Sequence, residues 1–149
     1  MTQRPGYAPI TPYLVCRGAH DAIAWYGKHL GASERYRLPL PDGALAHAEI
    51  EINGMTLMIA DEVEAWSIVS PLALNGSPVS LNVYVDDCDG IFAAMIEDGA
   101  EQLSPVEDQF HGDRSGKLRD PFGHIWHIAT HKETLEPEEI LARFAKMLG

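Results

Sequence analysis

The chain predicts an α+β fold made of two βαβββ modules and a C-terminal helix. Three observations carry this. One pattern occurs twice: Pro12-Tyr-Leu-Val-Cys16, Ala22-Ile-Ala-Trp-Tyr26 and Leu30-Gly-Ala32 return as Leu81-Asn-Val-Tyr-Val85, Gly90-Ile-Phe-Ala-Ala94 and Asp98-Gly-Ala100. The ends of the two halves match as well, Asn53-Gly-Met-Thr-Leu-Met-Ile-Ala60 with Phe122-Gly-His-Ile-Trp-His-Ile-Ala129. Within each half the apolar spacing changes from helical to alternating, which is the signal of a helix followed by half-buried strands. A repeat of about half the chain means two copies of one supersecondary unit, and a pair of such units leaves a cleft in which a ligand would sit.

Residues 1–10 read as a tail. The first module occupies 11–62. Its strand Tyr13–Cys16 leads to a helix that ends at Leu30, capped near Asp21 and stopped by Gly31. Ser33–Leu38 is a strand and Pro41-Asp-Gly43 a tight turn. Ala44–Ile52 alternates, with Ala46, Ala48, Ile50 and Ile52 on one side and His47, Glu49 and Glu51 on the other. Asn53-Gly54 marks a hairpin into Met55–Ala60. Residues 63–79, with Trp66, Pro71, Asn75-Gly76 and Pro78, break the pattern and predict a connecting loop, a lid or a linker. The second module, 80–131, has a strand at Ser80–Val85 and a helix at Asp89–Glu97 with Gly99 as its stop. Short strands at Glu101–Leu103 and Lys117–Arg119 flank a loop Ser104–Gly116, and a last strand runs His124–Ala129 after the turn Asp120-Pro-Phe-Gly123. Residues 132–149 form the final helix: Pro137 with Glu138 and Glu139 at its start and Lys146 near its end suit the helix dipole. So short an amphipathic helix needs a surface to dock on, either its own sheet or a partner chain.

Composition narrows the function. At 149 residues and 46% apolar content the chain can bury a core, and its formal charge is −11. That charge opposes nucleic acid, whose phosphates need a basic surface, and opposes an anionic membrane; it suits a cationic ligand. No apolar run is long enough for a membrane helix. Cys16 and Cys88 make no disulfide framework, so buried thiols in a reducing cytoplasm are expected. No phosphate loop, nucleophile elbow or zinc-protease motif occurs.

Several short motifs occur together: Pro12-Tyr-Leu-Val, Ile23-Ala-Trp-Tyr26, Leu30-Gly-Ala32, His47-Ala-Glu49, Leu57-Met-Ile-Ala-Asp61, Gly76-Ser-Pro-Val-Ser80, Pro105-Val-Glu-Asp-Gln109, Gly112-Asp-Arg114 and Asp120-Pro-Phe-Gly123. As a set they resemble the vicinal oxygen chelate superfamily of glyoxalases, bleomycin-resistance proteins and extradiol dioxygenases, and most of all its PhnB-type glyoxalase-like proteins. The resemblance implies two βαβββ modules forming a curved mixed sheet around a pocket, and a homodimer. It also implies that metal-using members would place ligands at Thr11, Met58, Ser80 and His127. Only His127 is a good donor for a divalent ion, so no cofactor is predicted at the usual set.

Strand alternation puts Tyr13, His47, Glu49 and Met58 of the first module on the pocket face, and Ser80, Asn82, Tyr84 and His127 of the second. Tyr13, Met58, Ser80, Asn82, Tyr84, Arg114 and His127 are the candidate ligand-binding residues, with Arg114 a clamp for a carboxylate or phosphate or else a structural ion pair. His47 and Glu49 are the candidate catalytic pair, because a carboxylate beside an imidazole orients it as a base or holds it protonated. The expected function is metal-free binding of a small molecule between the modules. The alternative is a glyoxalase-like lyase, isomerase or dioxygenase that uses His47, Glu49 and His127 for acid–base chemistry or as a displaced divalent-metal site.

Overall fold

The computed structural model describes residues 2–149. The chain divides into two compact units, one ending at Ser77 and the other spanning Pro78–Gly149. Each has the expected strand–helix–three-strand order and its own four-stranded mixed sheet.

The N-terminal unit contains β1 (Tyr13–Cys16), α1 (Ala19–Leu30), β2 (Ser33–Pro39), β3 (Leu45–Ile52) and β4 (Met55–Asp61), in sheet order β1-β4-β3-β2. β1 and β4 pair in parallel, and α1 is the crossover that carries the chain from β1 to β2 at the opposite edge of the sheet. Asn53 and Gly54 both adopt positive φ, 48° and 80°, the geometry of the tight hairpin joining β3 to β4. Gly31 closes α1 in the left-handed region at φ 66°. The core is one side of the sheet against α1: Leu14, Ala48, Ile50 and Ile59 with Ile23 and Tyr26, all buried. Each such fully buried large side chain is worth about 1.5–3 kcal/mol of transfer free energy.

The start of α1 differs from expectation. Its cap residue is Gly18, with no side-chain cap of its own. Asp61, at the end of β4, accepts from the backbone N–H of Gly18 at 3.1 Å and of Ala19 at 2.7 Å. Its other oxygen accepts from Leu45 N at 2.7 Å. One carboxylate thus satisfies two orphan helix donors and fixes the entry to β3.

Residues 63–79 are more structured than a free linker. They hold a 3-10 turn (Glu64–Trp66), closed by a bridge between Val63 and Ile68, and a short helix α2 (Pro71–Leu74). Glu62 explains this: it accepts from Arg17 Nε at 2.9 Å, Ser70 N at 3.0 Å and the Ser70 hydroxyl. The Arg17 and Ser70 contacts hold its carboxyl down at about 2 against the opposing effect of burial.

The C-terminal unit contains β5 (Ser80–Tyr84), α3 (Cys88–Glu97), β6 (Glu101–Asp108), β7 (Asp113–Arg119), β8 (Ile125–His131) and α4 (Pro137–Leu148). Its sheet order, β5-β8-β7-β6, repeats the first unit. The helix anchor repeats too. Thr130, at the position matching Asp61, accepts from Cys88 N at 3.0 Å and donates to Val85 O at 2.8 Å.

β6 and β7 are longer than expected, and the predicted loop Ser104–Gly116 is mostly strand. Two residues disguised it. Pro105 lies in β6, the edge strand, where a missing N–H is tolerated. Gly116 lies inside β7 because a Cβ there would come within 2.7 Å of both Phe92 and Val106. In α4, Leu141, Phe144 and Leu148 are exposed, with the Phe144 ring 5.2 Å from that of Phe110. Among the described residues no helix is long and apolar enough to cross a membrane.

Because Asp61 caps α1, Asp61→Ala is expected to lower the unfolding free energy in urea by about 2 kcal/mol. Asp21→Ala, in the first turn of the same helix, should change it by less than about 0.5 kcal/mol.

Candidate functional site

Strand register sets the candidate residues in rows. In the first unit Tyr13 pairs with Met58, Met58 with Glu49, and Glu49 with Tyr36, one row across four strands. In the second unit the matching row is Asn82, His127, Lys117 and Ser104. Tyr13, Met58 and Glu49 thus share one side of the first sheet, Asn82 and His127 share one side of the second, and each row gains members from the other strands of its module. Tyr36 reaches its row through a one-residue bulge between Glu34 and Tyr36. Without it the pairing of Glu34 with Ile50 would continue to Arg35 opposite Glu49.

Glu49 is the chemical centre of the first unit, with no exposed surface. Its Oε1 accepts from Tyr36 OH at 2.8 Å, His47 Nε2 at 3.1 Å and Arg4 at 3.4 Å, and its Oε2 from the Tyr7 hydroxyl. Burial pushes this carboxyl up, but the Tyr7, His47 and Tyr36 hydrogen bonds together outweigh it and hold the group at about 2. Since a carboxylate only accepts, Nε2 of His47 carries a proton toward Glu49, and in the neutral form of the ring Nδ1 accepts from Tyr13 OH at 2.6 Å. Tyr13 is about half exposed, so the Glu49–His47–Tyr13 chain runs from buried charge to surface hydroxyl. Tyr7 lies in the segment expected to be a tail, and no periodicity marks it. Tyr36 had only its strand position as a signal.

The second unit has a different polar arrangement. Buried Asp113 accepts from Tyr84 OH and His131 Nδ1, both at 2.8 Å. Burial raises its carboxyl, and those two bonds outweigh it, leaving it below the usual range. Arg114 forms a fork with Asp89 at 2.8 and 2.9 Å and reaches Asp108 at 3.2 Å. It borders an open hollow of about 500 Å³ in which Arg143 is likewise paired, with Glu133 and Glu139. Nearby, Ser104, Glu107, His111, Ser115, Lys117 and His127 line a cavity of about 210 Å³. Among the described residues Lys117 and His127 make no side-chain hydrogen bond or ion pair. Burial, then the charges of Lys117 and His111, lower the His127 pKa. Lys117 was not among the residues the sequence singled out, because it read as the start of a short strand beside a loop.

Residues 8–128 match the Glyoxalase/Bleomycin resistance protein/Dioxygenase superfamily. The chain belongs to that superfamily. An uncharacterised protein of Mycobacterium bovis is 38% identical over 136 residues, covering 89% of this chain and 90% of its own. Among solved structures, a Pseudomonas aeruginosa protein superposes with a TM-score of 0.71 at 23% identity, covering 85% of this chain and 99% of its own. A PhnB protein from Bacillus cereus does so with 0.66 at 21%, covering 83% and 99%. These two share its fold.

The superfamily's divalent metal does not fit the residues present. Its expected positions hold the hydroxyls of Thr11 and Ser80, the thioether of Met58 and one imidazole, His127. Hydroxyl and thioether groups are poor donors for such ions. Among the described residues no three His, Cys, Asp or Glu side chains gather to hold a metal.

Glu49 links this site to acid stability. An unperturbed glutamate titrates near 4.5, whereas folded Glu49 stays ionised to about 2. Between those values the unfolded chain takes up the proton and the folded one does not, so stability falls as pH drops through that window. Glu49→Gln is expected to be about 1–3 kcal/mol less stable at neutral pH. Its stability should also fall less steeply from pH 4.5 to 2 than the wild type's, as urea unfolding across pH would show.

Proposed function

We propose that this superfamily member binds a small organic molecule carrying an anionic group, without a metal, on the strand face of its second module. The observation that carries the reading is the Lys117–His127 pair: cross-strand neighbours in a polar cavity, with no internal partner among the described residues. Nearby Asp113 and Arg114 are already satisfied by the protein, while Glu107 lines the same cavity and places a carboxylate at its edge. Unspent donors converging on a cavity are what a ligand site offers. Ser104 and Ser115 add hydroxyls to the lining, and Ser80, Asn82 and Tyr84 continue the same face along β5. The overall acidic charge points instead to a cationic ligand, but local lining, not net charge, contacts the ligand.

A second reading, acid–base catalysis, is favoured by the Glu49–His47–Tyr13 chain. In it Glu49 orients His47, and the proton moves at His47 Nδ1 or the Tyr13 hydroxyl; Glu49 itself is too weak a base at about 2. Met58 lies between Tyr13 and Glu49 in that row and supplies an apolar floor. The exposed stripe Leu141, Phe144 and Leu148 of α4 supports pairing of two copies into a homodimer.

Screening aryl carboxylates and aryl phosphonates by thermal melting should give stabilising compounds. By calorimetry Lys117→Met should weaken the best of them at least tenfold. An anion raises the His127 pKa, so affinity should increase as pH falls through the histidine range. Equal affinity in Lys117→Met and wild type would rule the reading out. Turnover of any substrate that stops in Glu49→Gln while binding persists would favour the second reading.

A further inference from the structure

The seat now filled by the Tyr7 side chain has the make-up of a ligand site. Glu49 Oε2 receives its hydrogen bond from Tyr7, while Oε1 is served by Tyr36 and His47 from β2 and β3. Two guanidinium groups lie over the Tyr7 ring, Arg4 at 4.4 Å and Arg35 at 5.5 Å from its centroid. Arg35 belongs to the sheet: it donates to Thr56 Oγ1 at 2.9 Å and pairs with Glu51 at 3.2 Å. Arg4 belongs to the same N-terminal segment as Tyr7.

Besides Tyr7 and the Arg4–Glu49 ion pair at 3.4 Å, with Arg4 more than half exposed, that segment has little to hold it. Residues 2–6 are exposed and form no helix or strand, and Ile10 is 86% exposed. Its own bonds are local: Tyr7 N to Arg4 O at 3.2 Å, Gln3 Nε2 to Tyr7 O at 2.9 Å and Thr11 Oγ1 to Ala8 O at 3.2 Å. Few buried apolar contacts and exposed backbone bonds mean a low free energy of local opening.

We infer that residues 3–10 are a displaceable strap, and that the seat beneath Tyr7 binds a hydroxyaryl ligand in its place. Lifting the strap leaves Tyr36, His47 and Arg35 where they are and deprives Glu49 Oε2 of its donor. With the strap lifted Glu49 Oε2 still needs a donor, so the seat favours a ligand that donates there. A phenolic hydroxyl restores the bond, and its ring takes up the cation–π contact with Arg35. A carboxylate is repelled by Glu49, and an arene without a hydroxyl leaves Oε2 unpaired. This seat rests on different residues from the Lys117–His127 cavity and stands or falls separately from it.

The probe is 4-methylphenol, with toluene as control, on the full chain at neutral pH. In Tyr7→Ala, calorimetry should show 4-methylphenol binding at least tenfold more tightly than to wild type, and toluene binding to neither. In the wild type, saturating 4-methylphenol should speed amide exchange in residues 3–8, with the exchange of β3 and β4 unchanged. The wild-type arm does not depend on the variant's folding. Failure of 4-methylphenol to bind Tyr7→Ala in its folded form would overturn the inference, as would toluene binding equally well. Wild-type binding that leaves exchange in residues 3–8 unchanged would overturn it too.

Discussion

An ionised carboxylate without exposed surface has to be surrounded by donors, and the arrangement of the first module follows from meeting that demand at Glu49. The bulge in β2 turns Tyr36 toward it, and the N-terminal segment folds back so that Tyr7 and Arg4 reach it. His47, two residues away on the same strand face, is fixed in one tautomer by it and so accepts from Tyr13. Replacing the carboxylate would leave three tyrosines, a histidine and an arginine without a common reason to converge. Its low pKa records the same balance, since hydrogen bonds to the charged form outweigh the cost of burial.

The two modules show how one scaffold accommodates different chemistry. The backbone requirement at the first helix is met by Asp61 in one and Thr130 in the other. Either side chain serves, because the shared need is an acceptor for the first helical N–H, of Ala19 or Cys88, and not a charge. Rows on the open faces diverge further. Where the first module sets Glu49 beside Met58, the second sets Lys117 beside His127. The acid is fully satisfied from within; the base has no internal partner among the described residues.

Much of this fold is legible in the chain because the deciding forces are local. Asn53-Gly54 specifies a hairpin through two positive φ angles, and Gly31 stops α1 in the same way. The alternation of His47, Glu49 and Glu51 against Ala48, Ile50 and Ile52 names both faces of β3 before any contact is known. Reading fails where a local signal is overruled by a neighbour distant in sequence. Pro105 and Gly116 look like loop residues, yet an edge position admits one and the packing of Phe92 and Val106 requires the other.

By itself the sequence determined the duplicated module, the order of its elements, the two sides of β3, and the poverty of metal donors at Thr11, Met58 and Ser80. Tertiary structure alone decided which polar groups are spent and which remain available. Tyr7 finds Glu49 across 42 residues, and Asp61 finds Ala19 across 42. Arg114 is taken up by Asp89 across 25, while Lys117 is left open. A hydrogen bond depends on a partner's position to within a few tenths of an ångström. That precision comes from the register and packing of whole strands, which no short stretch of chain encodes.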